Sequence, residues 1–187
     1  MHVTVKRARN TVELFDAFAL RYSVFTEERG KFAEHHTRLI VDIFDAVRSS
    51  TIFTAYVGDE AIGTIRVNED TCIGLPADWY LGPEIRESIP FGVNICGISM
   101  FAIRQDKRHQ RSVIFGLFNA VVRLLEDLKC THILAAISTE TTPIYLRMGF
   151  EPVGMPEWVE EIGDEILPIL AEFKTANAWF SSKSRRK

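Results

Sequence analysis

NICGISMFAI, at positions 94–103, is the stretch whose reading decides the architecture. Residues 95–103 carry no charge and a single glycine, the length and composition of a strand buried on both faces. RQDKRHQRS (104–112) follows as a polar, basic turn. From Ser112 onward Ile114, Leu117, Phe118, Val121, Leu125 and Leu128 recur at three- and four-residue steps, with Asn119, Arg123, Glu126 and Asp127 opposite. That pattern predicts an amphipathic helix with Ser112 as its N-cap. THILAAIS (131–138) reads as a second buried strand, and TTPIYLRMGF (141–150) as a short helix closed at Gly149. Strand, turn, helix, strand in that order is a crossover joining parallel strands.

The turn carries the first chemical expectation. A strand feeding a helix N-terminus points unpaired N–H groups and the positive end of the helix dipole at one spot. Arg104, Lys107, Arg108, Arg111 and Ser112 surround that spot, so a phosphate or pyrophosphate is expected there. The same charges would serve equally as a solvated basic loop.

Outward from this unit, the 187 residues suit one domain. The expected boundaries are residues 1–180, with 181–187 as a basic, disordered tail. A composition of 47% apolar and 25% charged residues supports an ordinary core, and a net charge of −3 gives no general attraction to nucleic acid or membrane. No apolar run approaches the roughly 18 residues of a membrane span, and no secretory leader is visible. Cys72, Cys96 and Cys130 form no spaced pair or metal motif and are expected to be reduced, buried and inert. These features fit a cytoplasmic protein, which is the expectation here. Adjacent histidines, His35 and His36, cannot both face one site on a regular element, so no metal is called for.

Before the central unit, residues 2–8 alternate as a short strand. Asn10 caps a helix with Glu13 as its capping-box partner, and its apolar face is Val12, Leu14, Phe15, Phe18, Ala19, Tyr22 and Phe25. Asp42 and Asp45 can face one side if their segment is helical; a charged surface turn is the plainer reading. Residues 51–67 form a hairpin around Gly58-Asp59, on which Arg66 would ordinarily be a surface residue. Residues 68–92 make a long connection with Trp79 and Tyr80 and a short helix near 84–88. Long internal loops are often functional. After Phe150 a last strand pair is expected, with Pro168 demoting 166–173 to an edge or bulged strand.

Several of these segments resemble, in order, the GCN5-related N-acyltransferases, and within them the branch of acyl-homoserine-lactone synthases and N-acyl amino acid synthases. Tyr145-x-x-x-Gly149-Phe150 is similar to the segment that closes the acyl-CoA site of the superfamily. The turn is similar to its pyrophosphate loop, R-x-x-G-x-G/A, with Arg108 kept and the glycines replaced by Arg111 and Val113. Arg21, Val24 and Phe25 resemble the branch's R-x-x-V-F. Asp42-Ile-Phe44-Asp45 resembles D-x-[YF]-D, Gly63-x-x-Arg66 resembles G-x-x-R, and Ser99-Met100-Phe101-Ala102 resembles S-R-F-A. The branch's Glu and Arg on that strand are Gly97 and Met100 here, which points away from homoserine-lactone synthesis from S-adenosylmethionine.

The resemblance implies a single α/β domain, a mixed, twisted sheet of six or seven strands flanked by helices, and a bacterial enzyme. The activity it implies is transfer of an acyl group, expected to be fatty, from a thioester to a small amine or amino acid. Acyl-CoA or acyl carrier protein is then a co-substrate, with no cofactor bound permanently. Tyr145 is the candidate acid for the leaving thiolate, or core filling. Asp42 or Asp45, through water, is the candidate for positioning or deprotonating the amine. Arg21, Phe25, Arg66, Ser99, Phe101, Ala102 and Ile103 are substrate-side candidates, and strand amides near 101–103 are the oxyanion donors if the strand splays. Arg104, Lys107, Arg108, Arg111 and Ser112 are the donor-phosphate candidates. Without glycines the loop suits a carrier protein's acidic surface better than a CoA pyrophosphate. The alternatives are a non-catalytic acyl-thioester sensor and an ordinary acetyl-CoA-dependent acetyltransferase. A long apolar tunnel beside residues 98–103 would mean a fatty donor, a shallow cleft acetyl.

Overall fold

The uncharged run forms β4, Ile95–Ile103, in the middle of a mixed sheet. The computed structural model describes residues 2–184, and among them eight strands join this sheet. In chain order they are β1 (Thr4–Arg7), β2 (Ser50–Val57), β3 (Glu60–Glu69), β4, β5 (His132–Ser138), β6 (Glu151–Pro152), β7 (Glu157–Val159) and β8 (Asp164–Glu172). Across the sheet the order is β1-β2-β3-β4-β5-β8-β6, with β7 also paired to β8. Only β4 and β5 run parallel, joined by the expected crossover through helix α3, Arg111–Asp127.

Two irregularities open the centre of the sheet. The β4–β5 ladder covers only Ile95–Ile98 against His132–Ala135. Beyond it the remaining five residues of β4 and the end of β5 separate. On its other side β4 carries a bulge: Thr64 faces Ala102 and Arg66 faces Ser99, so two β4 residues oppose the single Ile65. Met100 takes φ 53 there, a left-handed conformation costly for a long side chain. A bulge bends its strand and re-aims side chains, and bulges gather beside active sites.

One face of the sheet is covered by α3, whose Val113, Leu117, Val121 and Leu125 are buried against Ile65, Val67 and Ile103. Helix α1 (Thr11–Tyr22) packs on β2 and β3, and α2 (Pro76–Leu81) closes the second cluster, with Leu75, Leu134 and Ile166. Asn10 caps α1 by accepting from the Glu13 amide, as its sequence predicts. Gly149, at φ +88, ends the turn after α4 (Thr142–Arg147) where the sequence places it.

Several expectations need correction. Helix α3 starts at Arg111 with Gln110 as N-cap, so Ser112 lies in its first turn. Val12 and Phe15 of α1 are exposed, because Ala17, Phe18 and Leu20 do the burying. Cys72 is exposed, whereas Cys96 and Cys130 are buried as expected. β8 is no edge strand: it pairs with β5 along one side and with β6 and β7 along the other. Pro168 fits because its carbonyl accepts from Val153, so its missing N–H points to that same side, into the gap between β6 and β7. Finally, α5 (Phe173–Ser184) continues the helix through the first four residues of the expected disordered tail, and 185–187 lie outside the described residues.

Candidate active site

Where β4 and β5 part, a cavity of about 530 Å³ passes between them. Phe101, Ile114, Phe115, Phe118, Tyr145, Trp179 and Phe180 line it on the α3 side. Phe25, Phe32, Pro76, Ala77, Tyr80, Ile162 and Ile166 line it on the other. Phe118 stands 5.2 Å from Phe101 and 5.4 Å from Phe180 by ring centroid, a continuous aromatic wall. An apolar channel of this size is the kind of site that buries most of a long apolar ligand.

The backbone supplies polar groups at the gap. Arg104 N–H donates to the Ile62 carbonyl on β3. Strand groups alternate sides every second residue, so the Ile103 amide faces the open splay instead, while Phe101 lies in the bulge, where that alternation is interrupted. The Ile103 carbonyl, on that same side, accepts from Arg108 Nε at 3.0 Å. Ala102, in contrast, is buried against Leu20 and Val24.

Tyr145 projects from α4 into the cavity, its ring edge-on to Phe150 at 5.5 Å. Burial pushes its hydroxyl up to about 12, with the Arg29 charge opposing. It is therefore a neutral O–H donor at any physiological pH.

Arg21, Asp42, Asp45, Arg66 and Ser99 are brought together, as the motif order implies. Asp42 caps the short 3-10 turn Ile43–Asp45 through the Phe44 amide, and its own N–H donates to Asp45 Oδ2 at 3.0 Å. Both carboxylates then face the sheet. Arg21 Nη1 donates to Asp45 at 2.8 and 2.9 Å. Arg66 donates to both Asp42 oxygens at 2.5 and 2.8 Å, reaches Asp45 at 2.9 Å, and donates from Nε to Ser99 Oγ at 3.0 Å. Arg66 is not the surface residue expected: it and Arg21 are both 0% exposed, and Asp45 is 1% exposed. Burial lowers the Arg21 pKa against the pull of Asp45. At Arg66 burial is outweighed by Asp42 and Asp45, and the pKa is raised. Arg66 and Ser99 line the cavity, with the aspartates behind them. Gly97 sits against Leu75, whose Cδ2 a β-carbon at 97 would meet at 3.1 Å. Apolar packing thus fills the space beside the position where the branch has its Glu.

The basic turn differs from an open anion site. Arg104 is held by Glu60 and Asp106, Lys107 by Asp106, Arg108 by Glu28 and the Ile103 carbonyl. Arg111 donates to the Lys183 carbonyl at 2.9 Å and lies over the Phe115 ring. Four cations thus meet three carboxylates, Glu28, Glu60 and Asp106, so the excess of positive charge is small.

Other groups entered the site unannounced by motif. Arg29, Lys31, Ser138 and Asp164 all line the cavity, and Lys31 Nζ donates to Asp164 at 2.5 Å, and to Ser138 and Glu140 at 3.1 Å. The Tyr80 hydroxyl is raised to about 12 by burial and then by the Asp42 charge. Trp179 and Phe180 come from α5, which the sequence reading left unplaced. Among the described residues no cluster of three or more His, Cys, Asp or Glu side chains could hold a metal, and no helix is long and apolar enough to cross a membrane.

Comparison with known proteins agrees with the geometry. The structure of FeeM, an N-acyl amino acid synthase from uncultured soil microbes, superposes with TM-score 0.78 at 17% identity, covering 95% of this chain and 93% of that one. The CoA-dependent acyl-homoserine lactone synthase BjaI, with SAM and isopentyl-CoA, gives 0.74 at 17% identity over 100% and 92%. The AHL synthase LasI gives 0.73 at 18% over 96% and 95%. No curated protein sequence matches the chain. The family model for the N-acyl amino acid synthase FeeM matches residues 16–172, from the middle of α1 to the end of β8 and so across every element that lines the gap except α5. An acyltransferase fold opened at β4–β5, with that match over most of its length, makes this chain a member of the FeeM N-acyl amino acid synthase family, an N-acyltransferase.

Proposed function

We propose that the enzyme moves a fatty acyl group from a thioester, borne by acyl carrier protein or CoA, to the amine of a small acceptor, an amino acid among them. The observation that carries this is the apolar cavity of about 530 Å³ running through the splay, far more than an acetyl group fills. The acceptor amine, once deprotonated, attacks the thioester carbonyl. The C–N bond forms, the C–S bond breaks, and the products are an amide and a thiol. In this reading the oxyanion donor is the Ile103 amide, with that of Phe101 beside it in the bulge, an effect often worth 10²–10³-fold. Tyr145 protonates the departing thiolate and regains its proton from water. Arg21, Asp42 and Asp45 hold Arg66 and Ser99 in place at the cavity wall. With both carboxylates committed to arginines, we assign them to this positioning, and water to the proton from the amine. Phe25 packs the acceptor side, and Ala102 backs the strand.

Turnover of acetyl, octanoyl and palmitoyl donors against a panel of amines and amino acids tests the reading. Long chains are expected to exceed acetyl in kcat/KM by at least tenfold, because each buried methylene is worth about 0.8 kcal/mol. An acetyl preference would sink it.

For the donor we propose contact of Arg104, Lys107, Arg108, Arg111 and Ser112 with the phosphate, and a carrier-borne acyl group over free acyl-CoA. The small charge excess makes the expected preference modest and confined to low ionic strength. The double variant Lys107→Glu, Arg108→Glu should slow the carrier-borne donor more than the CoA thioester. Equal slowing of both, or faster acyl-CoA turnover at low salt, would refute the preference.

A further inference from the structure

Most charged side chains that line the cavity have their hydrogen bonds taken up. Arg66 is held by Asp42, Asp45 and Ser99. Arg108 donates to Glu28 and the Ile103 carbonyl. Lys31 uses its three N–H groups on Asp164, Ser138 and Glu140. Arg29 differs. Its ion pair is a 3.5 Å approach to Glu140, a residue itself 61% exposed, and its guanidinium makes no hydrogen bond within the described residues.

The backbone holding Arg29 is fixed on both sides. Gly30 N–H donates to the Thr26 carbonyl, Lys31 N–H to Phe25 and Phe32 N–H to Ile162, while the Lys31 side chain ties the segment to β5 and β8. Arg29 and Tyr145 line the same cavity, and Glu140, which Arg29 approaches, stands in the turn that leads into α4, the helix carrying Tyr145. A partly exposed guanidinium with unused donors therefore stands in the lining of the cavity beside the approach to α4, on a hydrogen-bonded backbone. That fork matches a carboxylate in two parallel hydrogen bonds.

We infer that Arg29 reads the acceptor's carboxylate and so selects amino acids over simple amines. This rests on the acyl-transfer reading above. An α-amino acid carries its amine one carbon from the carboxylate. Seating the carboxylate on Arg29 thus delivers the nucleophile to the end of the cavity where Tyr145 waits for the thiolate.

The test uses acceptors that differ only in the carboxylate: phenylalanine with phenethylamine, tyrosine with tyramine, leucine with isoamylamine, all with one fatty acyl donor. The wild-type enzyme should favour the amino acid of each accepted pair. Arg29→Gln should cut the ratio of kcat/KM, amino acid over amine, roughly tenfold, mainly through KM, as expected for a lost charge-assisted hydrogen bond. Arg29→Lys, which keeps the charge without the fork, should fall between. A purely structural role would lower both acceptors equally in both variants. That result, or a wild-type enzyme indifferent to the carboxylate, overturns the inference and leaves acyl transfer standing. Failure to acylate any member of the panel overturns acyl transfer, and the inference with it.

Discussion

Asp45→Ala is expected to lower the unfolding free energy by about 3–5 kcal/mol, the usual loss when one partner of a buried ion pair is removed. Asp45 is 1% exposed and accepts from two arginines that are both 0% exposed. Without it Arg21 keeps a 3.5 Å hydrogen bond to the Ile40 carbonyl and its place over the Phe18 ring, and its Nε and Nη2 already lack partners. A guanidinium stays charged inside a protein, so the charge left behind would be buried and unpaired. The Asp42 amide also loses its acceptor, so the short turn that aims Asp42 at Arg66 loosens. Such a loss is a large share of the roughly 5–15 kcal/mol that holds most domains together. Denaturant midpoints with an unchanged m-value would measure it. The double variant Arg21→Met, Asp45→Leu should recover part of the loss, since an apolar pair leaves no orphan charge. A drop below about 1 kcal/mol for Asp45→Ala, typical of exposed pairs, would show that the network is not structural.

Why the arginines are buried explains what sequence could and could not show. Strand β4, the hairpin of β2 and β3, α3 and the Asn10 cap were legible because each is a local pattern: an uncharged run, a two-residue turn, a helical period, a cap three residues before its donor. The grouping of Arg21, Asp42, Arg66 and Ser99 was legible only through family order, since the four lie on different elements and touch through tertiary pairing. Their burial was not legible. Arg66 alternates on β3 like any solvent-facing residue, and tertiary cover, the Ile43–Asp45 turn and α1 included, removes it from water. Lys31, Asp164 and Arg29 carry no periodic signal, since they lie in a loop, at a strand end and just past the π-helical turn Ser23–Glu27 that follows α1. Their one trace was charge beside Phe25 and Phe32. α5 escaped because Phe173 directly continues an apolar strand, with no glycine or proline to mark the change.

Tyr145→Phe is expected to lower kcat about 10²-fold, with KM nearly unchanged and the fold intact. The ring's packing on Phe150 survives the substitution, so the hydroxyl alone is tested. General acid catalysis commonly contributes about 10²–10⁴-fold, and a thiol leaving group, of pKa about 8.5, places this step at the low end. A hydroxyl pushed up to about 12 keeps its proton across neutral and mildly alkaline pH, so the wild-type rate should show no alkaline loss from Tyr145 over that span. The sign follows from the raised value: the neutral donor is the favoured form below it. A second substrate separates acid catalysis from packing. An aryl thioester releases a more acidic thiol that needs no proton in the transition state, so the variant and the wild type should converge on it. An interaction made only in the transition state lowers kcat and kcat/KM together, whereas disturbed packing would carry the same defect onto both thioesters. Equal defects on both substrates, or undiminished turnover of the alkyl thioester, would return Tyr145 to the core.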